Sequence, residues 1–285
     1  MSSNGSLDRP LLGRVALITG AARGQGRSHA VTLAKAGANV VIADIADQIP
    51  TVAYAMSTES DLTMTEKLVA EHGVRCHSVI ADMRDPAAVT AMVESVIEVF
   101  GRVDILCANA GISPLYTLQE TTRAIWDDTI GTNLSGVFHA IRAVAPSMIE
   151  NAFGRIVATG SIASRSALTN LSAYTASKWG VLGLVKAAAA ELGPHGITVN
   201  AVCPGFIDTP MNNHDVYNRL FRPDLEHPAR ETSEEVVRVG TPMNLGCLPP
   251  QAISDAVLFL VTDAGQYISG TGLDVNAGRS VAWSA

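Results

Sequence analysis

From residue 14 onward, short apolar runs alternate with longer stretches in which apolar positions recur every three or four residues. Val15 to Thr19, Val40 to Ala43, His77 to Ala81, Val103 to Ala108, Arg155 to Thr159 and Thr198 to Val202 predict strands. Gly26 to Ala36, Thr58 to His72, Pro86 to Phe100, Arg123 to Glu150, Ser172 to Leu192 and Pro250 to Val261 predict helices. Strands that are apolar on both faces and separated by helices bury themselves as a parallel sheet covered on both sides. The expected fold is therefore α/β, a doubly wound parallel sheet with helices on both faces. No internal repeat or low-complexity linker divides it, so residues 13–285 are expected to form one domain behind a flexible tail, 1–12. Two segments break the alternation. One is 45–57, longer than an ordinary strand-to-helix loop, with Thr58 placed to cap the helix that follows. The other is about 206–248, expected to be a lid over a ligand.

Composition narrows the class. Of 285 residues 47% are hydrophobic and 16% charged, which is core-rich and unlike a disordered chain. With 27 acidic residues against 20 basic ones, a net charge of −7 and no dense Lys/Arg run, nucleic acid is not an expected partner. Cys76, Cys107, Cys203 and Cys247 form no CxxC pair and have no His or Cys at metal-ligand spacing, so reduced, mostly buried thiols and no metal are expected. The N-terminus lacks the basic start and apolar stretch of a signal peptide, and no apolar run approaches the ~18 residues of a membrane span. The expectation is a cytoplasmic protein with no membrane partner.

The first strand, VALIT, runs into GAARGQG and a helical pattern, placing Gly20, Gly24 and Gly26 at a strand-to-helix turn. Glycines there let backbone approach a pyrophosphate whose charge the helix N-terminus stabilises, although a tight turn needs glycine anyway. Asp44 ends the second strand, eighteen residues beyond Gly26, where a carboxylate can accept from the adenosine ribose hydroxyls and would repel a 2′-phosphate. Arg23 and Arg27 pull the other way, since a guanidinium could accept that phosphate. A carboxylate facing a phosphate in a partly dry site costs several kcal/mol at an effective dielectric of ~20, whereas Arg23 can swing into solvent, so NAD is the expected cofactor.

Tyr174 and Lys178 lie four residues apart on one predicted helix, on one face. Ser161 follows the strand RIVAT, at the carboxyl end of the sheet where such folds bind ligands, and Asn133 sits inside the long helical stretch as either a satisfied core amide or a functional one. With NAG at Asn109 to Gly111 and PGFIDT from Pro204 to Thr209, these motifs resemble the short-chain dehydrogenase/reductase family in its usual order, over residues 13 to 279. GAARGQGRSHA, the long segment after Asp44 and the apolar lid are similar, more narrowly, to a mycofactocin-associated, carveol-dehydrogenase-like subgroup. Departures are Gln25, where a branched aliphatic is usual, and Cys107 with Ala108, where a second Asn often precedes Asn109.

The resemblance implies a single-domain Rossmann fold, commonly a homotetramer, that moves a hydride between NAD and a small-molecule alcohol or ketone. In the subgroup, NAD is thought to stay bound while an external redox carrier recycles it. It implies Tyr174 as general base or acid, Ser161 as donor to the substrate oxygen, Lys178 holding the nicotinamide ribose, and Asn133 holding a water on the proton path. Free tyrosine titrates near ~10; Lys178 and the oxidised nicotinamide would lower it, a unit charge at ~4 Å being worth up to ~4 kcal/mol at a dielectric of ~20. Expected cofactor contacts are Gly20, Arg23, Gln25, Gly26, Asp44, Ile45, Asp82, Met83, Asn109, Ala110, Gly111, Tyr174, Lys178, Pro204, Ile207 and Thr209. Asp82, placed at the end of the third strand, can accept from the adenine amine, while a helix cap before Pro86 or a solvated turn is an equal alternative without the family pattern. Ile49, Pro50, Val52 and Tyr54 are expected to fold over the adenosine end. Ser161, Tyr174, Phe206 and Met211, with Leu220 and Phe221 nearby, would meet a mid-sized apolar alcohol. His195 in GPHG reads as an exposed turn, His214 and His227 as rim residues, and Trp126 and Phe138 as core or subunit contacts. The alternative is a non-catalytic NAD-sensing or scaffold protein, which need not retain Asn133, Ser161, Tyr174 and Lys178 together. An enoyl reductase would space its Tyr and Lys more widely.

Overall fold

The computed structural model describes residues 9–222 and 224–283. Seven strands, β1 Val15–Thr19, β2 Asn39–Asp44, β3 Cys76–Ile80, β4 Ile105–Ala108, β5 Gly154–Thr159, β6 Ile197–Pro204 and β7 Gly272–Val275, form one sheet in the order β3-β2-β1-β4-β5-β6-β7. Every pairing is parallel. The helices are α1 Gly24–Lys35, α2 Glu59–Ala70, α3 Pro86–Phe100, α4 Arg123–Ile130, α5 Gly136–Glu150, α6 Ser172–Leu192, α7 Asp215–Phe221, α8 Arg230–Val239 and α9 Pro250–Val261.

The pleat explains why the central strands read as continuous apolar runs. Val15 and Leu17 of β1 point into a core made with α3, α5 and α6, while Ala16 and Ile18 point into a second core made with α1, α2 and α9. β4 divides the same way, Leu106 and Ala108 to the first core and Ile105 and Cys107 to the second. The chain winds outward from β1 to β3 and then returns to place β4 beside β1, so a crevice opens where the direction reverses, beyond the carboxyl ends of those strands.

Differences from the sequence reading have local causes. Arg123 to Glu150 is helical throughout, as expected, but the turn Gly131–Ser135 between α4 and α5 is a π-helical step, and Asn133 inside it is fully buried. The long segment near the lid contains the short helices α7 and α8, and the chain adds β7 at the sheet edge. Thr58 caps α2 as expected, exchanging bonds with Asp61 in a capping box. The expected flexible tail over 1–8 lies outside the described residues. Leu11 is buried in the second core and its N–H donates to Ala36 O at 2.9 Å, so the segment from Arg9 to Leu12 packs as part of the domain. Trp126 and Phe138 are 41% and 45% exposed, which removes the core reading for both.

Candidate active site

The glycine turn after β1 is built around close approach. Gly20 has φ +66°, and a Cβ at Gly26 would stand 2.0 Å from Gly20 O. No side chain caps the amino end of α1 and its first turn holds no acidic residue, so its N–H groups are left for an anion. The amide oxygen of Gln25 is also buried there without a protein partner.

Asp44, at the end of β2, accepts from Ala22 N–H at 2.9 Å, Ala46 N–H at 3.2 Å and the Ser57 hydroxyl at 2.6 Å. A carboxylate has about four acceptor positions, so one remains for a ribose hydroxyl. The arginines that could have welcomed a 2′-phosphate are engaged. Arg23 donates to Ala55 O at 2.5 Å, and Arg27 bonds Thr65 Oγ1, Ala22 O and Asp61 O. The uncapped helix end, the glycine cradle and the fixed negative charge of Asp44 fit NAD and disfavour its phosphorylated form.

Asp82 lies two residues beyond β3, not at its end, and is clasped by Arg84 through Nε at 2.9 Å and Nη2 at 2.7 Å. Arg84, which also bonds Asp128, holds the Asp82 carboxyl below its usual range despite partial burial. The cap before Pro86 is supplied by Asp85 instead, accepting from Ala87 N–H. Asn109 spends its side chain on the sheet: its amide donates to Thr19 O and Gly20 O and accepts from the Thr159 hydroxyl.

On α6, Tyr174 and Lys178 face the crevice as their spacing requires. Lys178 is 3% exposed, its Nζ donates to Thr159 O at 2.7 Å, and the ammonium lies 5.5 Å from the Tyr174 ring centre. Burial lowers Lys178 to about 8. Burial likewise raises the Tyr174 phenol above its usual 10, and a hydrogen bond with Ser161 pulls it back down. The net direction is opposite to the expected lowering, because the desolvation of the phenol outweighs what the chain's own groups return. Ser161 Oγ accepts from Ala163 N–H at 3.0 Å, which fixes its side chain against Tyr174.

Asn133 is a splint. Its Oδ1 accepts from Ile112 N–H at 2.8 Å, and its Nδ2 donates to Ile112 O at 2.9 Å and Ser177 Oγ at 3.2 Å. Both amide hydrogens are used, so the side chain fixes the segment after NAG to α6, and any water it holds would be met by an oxygen acceptor. Gly111 lies between these groups: a Cβ there would stand 3.3 Å from Asn133 Oδ1 and 3.7 Å from Lys178 Nζ.

One cleft of about 1460 Å³, open mouth included, brings these residues together. Its walls include Gly20, Arg23, Gln25, Asp44, Ile45, Asp82, Met83, Asn109, Ala110, Gly111, Ser161, Tyr174, Lys178, Pro204, Ile207 and Thr209, together with Phe206, Met211 and Leu220 from the lid. Phe221 packs behind Phe206. Tyr217, Leu168 and Leu171 also line it and escaped the sequence reading, since nothing in their local pattern distinguishes them from core residues. Ile49, Val52 and Tyr54 turn inward beside Ile112 and Met211, whereas Pro50 points to solvent. His195 is exposed, as expected, and His227 pairs at the surface with Asp215. Among the described residues no group of three or more His, Cys, Asp or Glu could hold a metal, and no helix is long and apolar enough to cross a membrane.

A family model described as short chain dehydrogenase matches residues 14–219. The chain belongs to the short-chain dehydrogenase family. Among relatives of this family, a putative short-chain type dehydrogenase/reductase of Mycolicibacterium smegmatis is 42% identical over 269 residues, covering 93% of this chain and 96% of that protein. The (-)-trans-carveol dehydrogenase of Rhodococcus erythropolis is 37% identical, covering 94% of this chain and 98% of that protein. The crystal structure of carveol dehydrogenase from Mycobacterium avium in complex with NAD superimposes with a TM-score of 0.93 at 41% identity, covering 95% of this chain and 99% of that one. The protein is thus an oxidoreductase of the short-chain dehydrogenase family with a cleft built for NAD.

Proposed function

We propose that the protein oxidises a mid-sized apolar secondary alcohol, or reduces the matching ketone, with NAD. The observation that carries this reading is the division of charge in the cleft. Arg23, Asp44 and Asp82 line the part of the cleft where the adenosine would lie, and Lys178 sits beside Tyr174 where it would hold the nicotinamide ribose, while the other walls include Phe206, Met211, Tyr217, Leu220, Leu168 and Leu171. Such apolar walls gain by burying hydrocarbon and, Lys178 being committed to Thr159 O and to the cofactor, add no cation to clamp a carboxylate or phosphate.

Bound NAD supplies the carbon that takes up or gives back the hydride. The chain handles the proton: Tyr174 withdraws it from the alcohol or returns it to the carbonyl, and Ser161 donates a hydrogen bond to the substrate oxygen as charge develops. Because burial alone raises the phenol, the charge of Lys178 and that of the oxidised ring must together favour the tyrosinate.

We further read NAD as a retained group recycled by an external redox carrier, of the mycofactocin kind that the subgroup resemblance implies. The segment 45–57 supports this: Arg23 ties it to the glycine turn through Ala55, and Ile49, Val52 and Tyr54 pack it onto Ile112 and onto Met211 of the lid. Four free cysteines suit a reducing cytoplasm, and exposed Trp126, Phe138 and Trp179 on α4, α5 and α6 suit burial in a homotetramer. The test is to purify the protein without added nucleotide and release its ligand with acid, then offer an alcohol panel with an artificial electron acceptor. The expected result is about one NAD per chain and oxidation of cyclic secondary alcohols. A protein free of nucleotide that turns over rapidly with external NAD refutes retention, and one inert to every alcohol and ketone refutes the activity.

A further inference from the structure

The segment 45–57 leaves the sheet beside Asp44, at the adenosine end of the cleft, yet Tyr54 reaches from there to the lid. Its hydroxyl accepts from Ser113 N–H at 3.1 Å, and its ring stacks on His214 of the lid with centres 5.0 Å apart and planes 23° apart. Tyr54 is 8% exposed and lines the same cleft as Tyr174, Phe206 and Met211. His214 is held at both ring nitrogens. Nε2 donates to Met211 O at 3.0 Å, and Nδ1 accepts from Tyr217 N–H at 3.3 Å, capping α7. A carbonyl can only accept and a backbone N–H can only donate, so these partners fix a neutral imidazole with its proton on Nε2. From His214 an aromatic series continues through Tyr217 to Phe206 and Phe221.

We propose that Tyr54 is the specificity-determining wall against which a ring of the substrate lies, and that His214 is the positioning residue that holds this wall in place. The proposal rests on the reading of the site as an alcohol dehydrogenase and adds the feature that selects ring-shaped substrates. Tyr54 is fixed at its hydroxyl and by its stack on His214, and the small part of it that lines the cleft is a rigid aromatic surface beside Met211 and Phe206. A small acyclic alcohol held at Ser161 and Tyr174 makes little use of such a wall, whereas a six-membered ring is packed or lost by it.

The positioning role of His214 predicts a pH signature. A proton on Nδ1 would set a donor against Tyr217 N–H and a positive charge against the positive end of α7, undoing the cap and loosening the stack. The groups facing His214 are Tyr54 from the segment 45–57 and Asp215 and Tyr217 from α7; Asp215 is shared with His227, and Arg23 is the charged group that acts on Tyr54. Burial lowers the imidazole below its usual 6.5, against smaller raising effects of Met211 O and Asp215, so the cap is intact at neutral pH.

The experiment compares the NAD-loaded native protein with Tyr54→Phe, Tyr54→Ala and His214→Phe. It measures KM and kcat for cyclohexanol and 2-propanol, and the melting-temperature shift produced by 1-methylcyclohexanol, which cannot be oxidised. Tyr54→Ala should raise the ratio of KM for cyclohexanol to KM for 2-propanol about tenfold or more and abolish the melting shift. Tyr54→Phe, which keeps the wall, should hold the ratio within about threefold of native and keep the shift. In the native protein KM for cyclohexanol should rise below pH 6.5, with kcat little changed, and this rise should vanish in His214→Phe. The proposal is overturned by an unchanged ratio in Tyr54→Ala, by an equal melting shift in Tyr54→Ala and native protein, or by no shift in native protein. A shift that depends on Tyr54 in a protein that oxidises no alcohol supports the wall while refuting the proposed activity.

Discussion

At the residue scale the site turns on one hydroxyl whose burial works against its own ionisation. Tyr174 must exchange a proton near neutrality, yet its surroundings lift it above 10. Replacing it with Phe removes the proton carrier without disturbing Asp44 or the glycine turn, which lie at the far end of the cleft. Tyr174→Phe should therefore cut turnover about 10²- to 10⁴-fold while the NAD released by acid per chain stays at the native amount. Assay of one preparation for both quantities checks this; loss of nucleotide along with turnover would show that the phenol chiefly holds the cofactor. The pairing of Tyr174 with Lys178 was legible because helical geometry is rigid: a four-residue gap fixes a shared face whatever surrounds it. The partners of Asn133 were not, since Ile112 is 21 residues away and meets it only after the sheet has formed. The sign of the Tyr174 shift was hidden for the same reason, because desolvation depends on what the whole chain packs around the ring.

At the element scale, α1 and α9 meet over a buried histidine. His29 is 1% exposed, Nδ1 bonds Ser254 Oγ at 2.8 Å, Nε2 has no partner, and burial drives it down to about 4. Between pH 6.5 and about 4 the unfolded chain binds a proton at this residue that the folded chain refuses. Stability is therefore fully present above 6.5 and falls as pH drops through this window, by about 3 kcal/mol for a shift of that size. Urea unfolding at pH 7 and pH 4.5 should show this loss in native protein and a clearly smaller one in His29→Leu; equal slopes would refute it. The long strands and helices were legible because their apolar periodicity runs for several turns or residues. α7, with 7 residues, and β7, with 4, are too short to display a period, and their place depends on contacts with the lid and with β6. The π-helical step that joins α4 to α5 was also hidden, because it adds one residue to a turn without changing composition.

At the scale of the whole molecule, α4, α5 and α6 present Trp126, Phe138 and Trp179 to solvent, with Trp179 55% exposed. If the chain assembles as proposed, light scattering should give the mass of four chains, and Trp179→Asp should shift it toward smaller species while circular dichroism keeps the α/β spectrum. A native mass of one chain would end the tetramer reading. The doubly wound order was legible from the alternation of elements alone, whereas no pattern marks which outer faces meet a second copy, since exposed apolar residues look alike in sequence. The segment 45–57 is joined to the body through a narrow base, where the Ser57 hydroxyl closes on Asp44 at 2.6 Å while β2 and α2 continue undisturbed on either side. The same short segment is also fastened to the glycine turn through Ala55 and to the lid through Tyr54, so one insertion touches both the cofactor and the substrate ends of the cleft, and a change in its length would alter both at once.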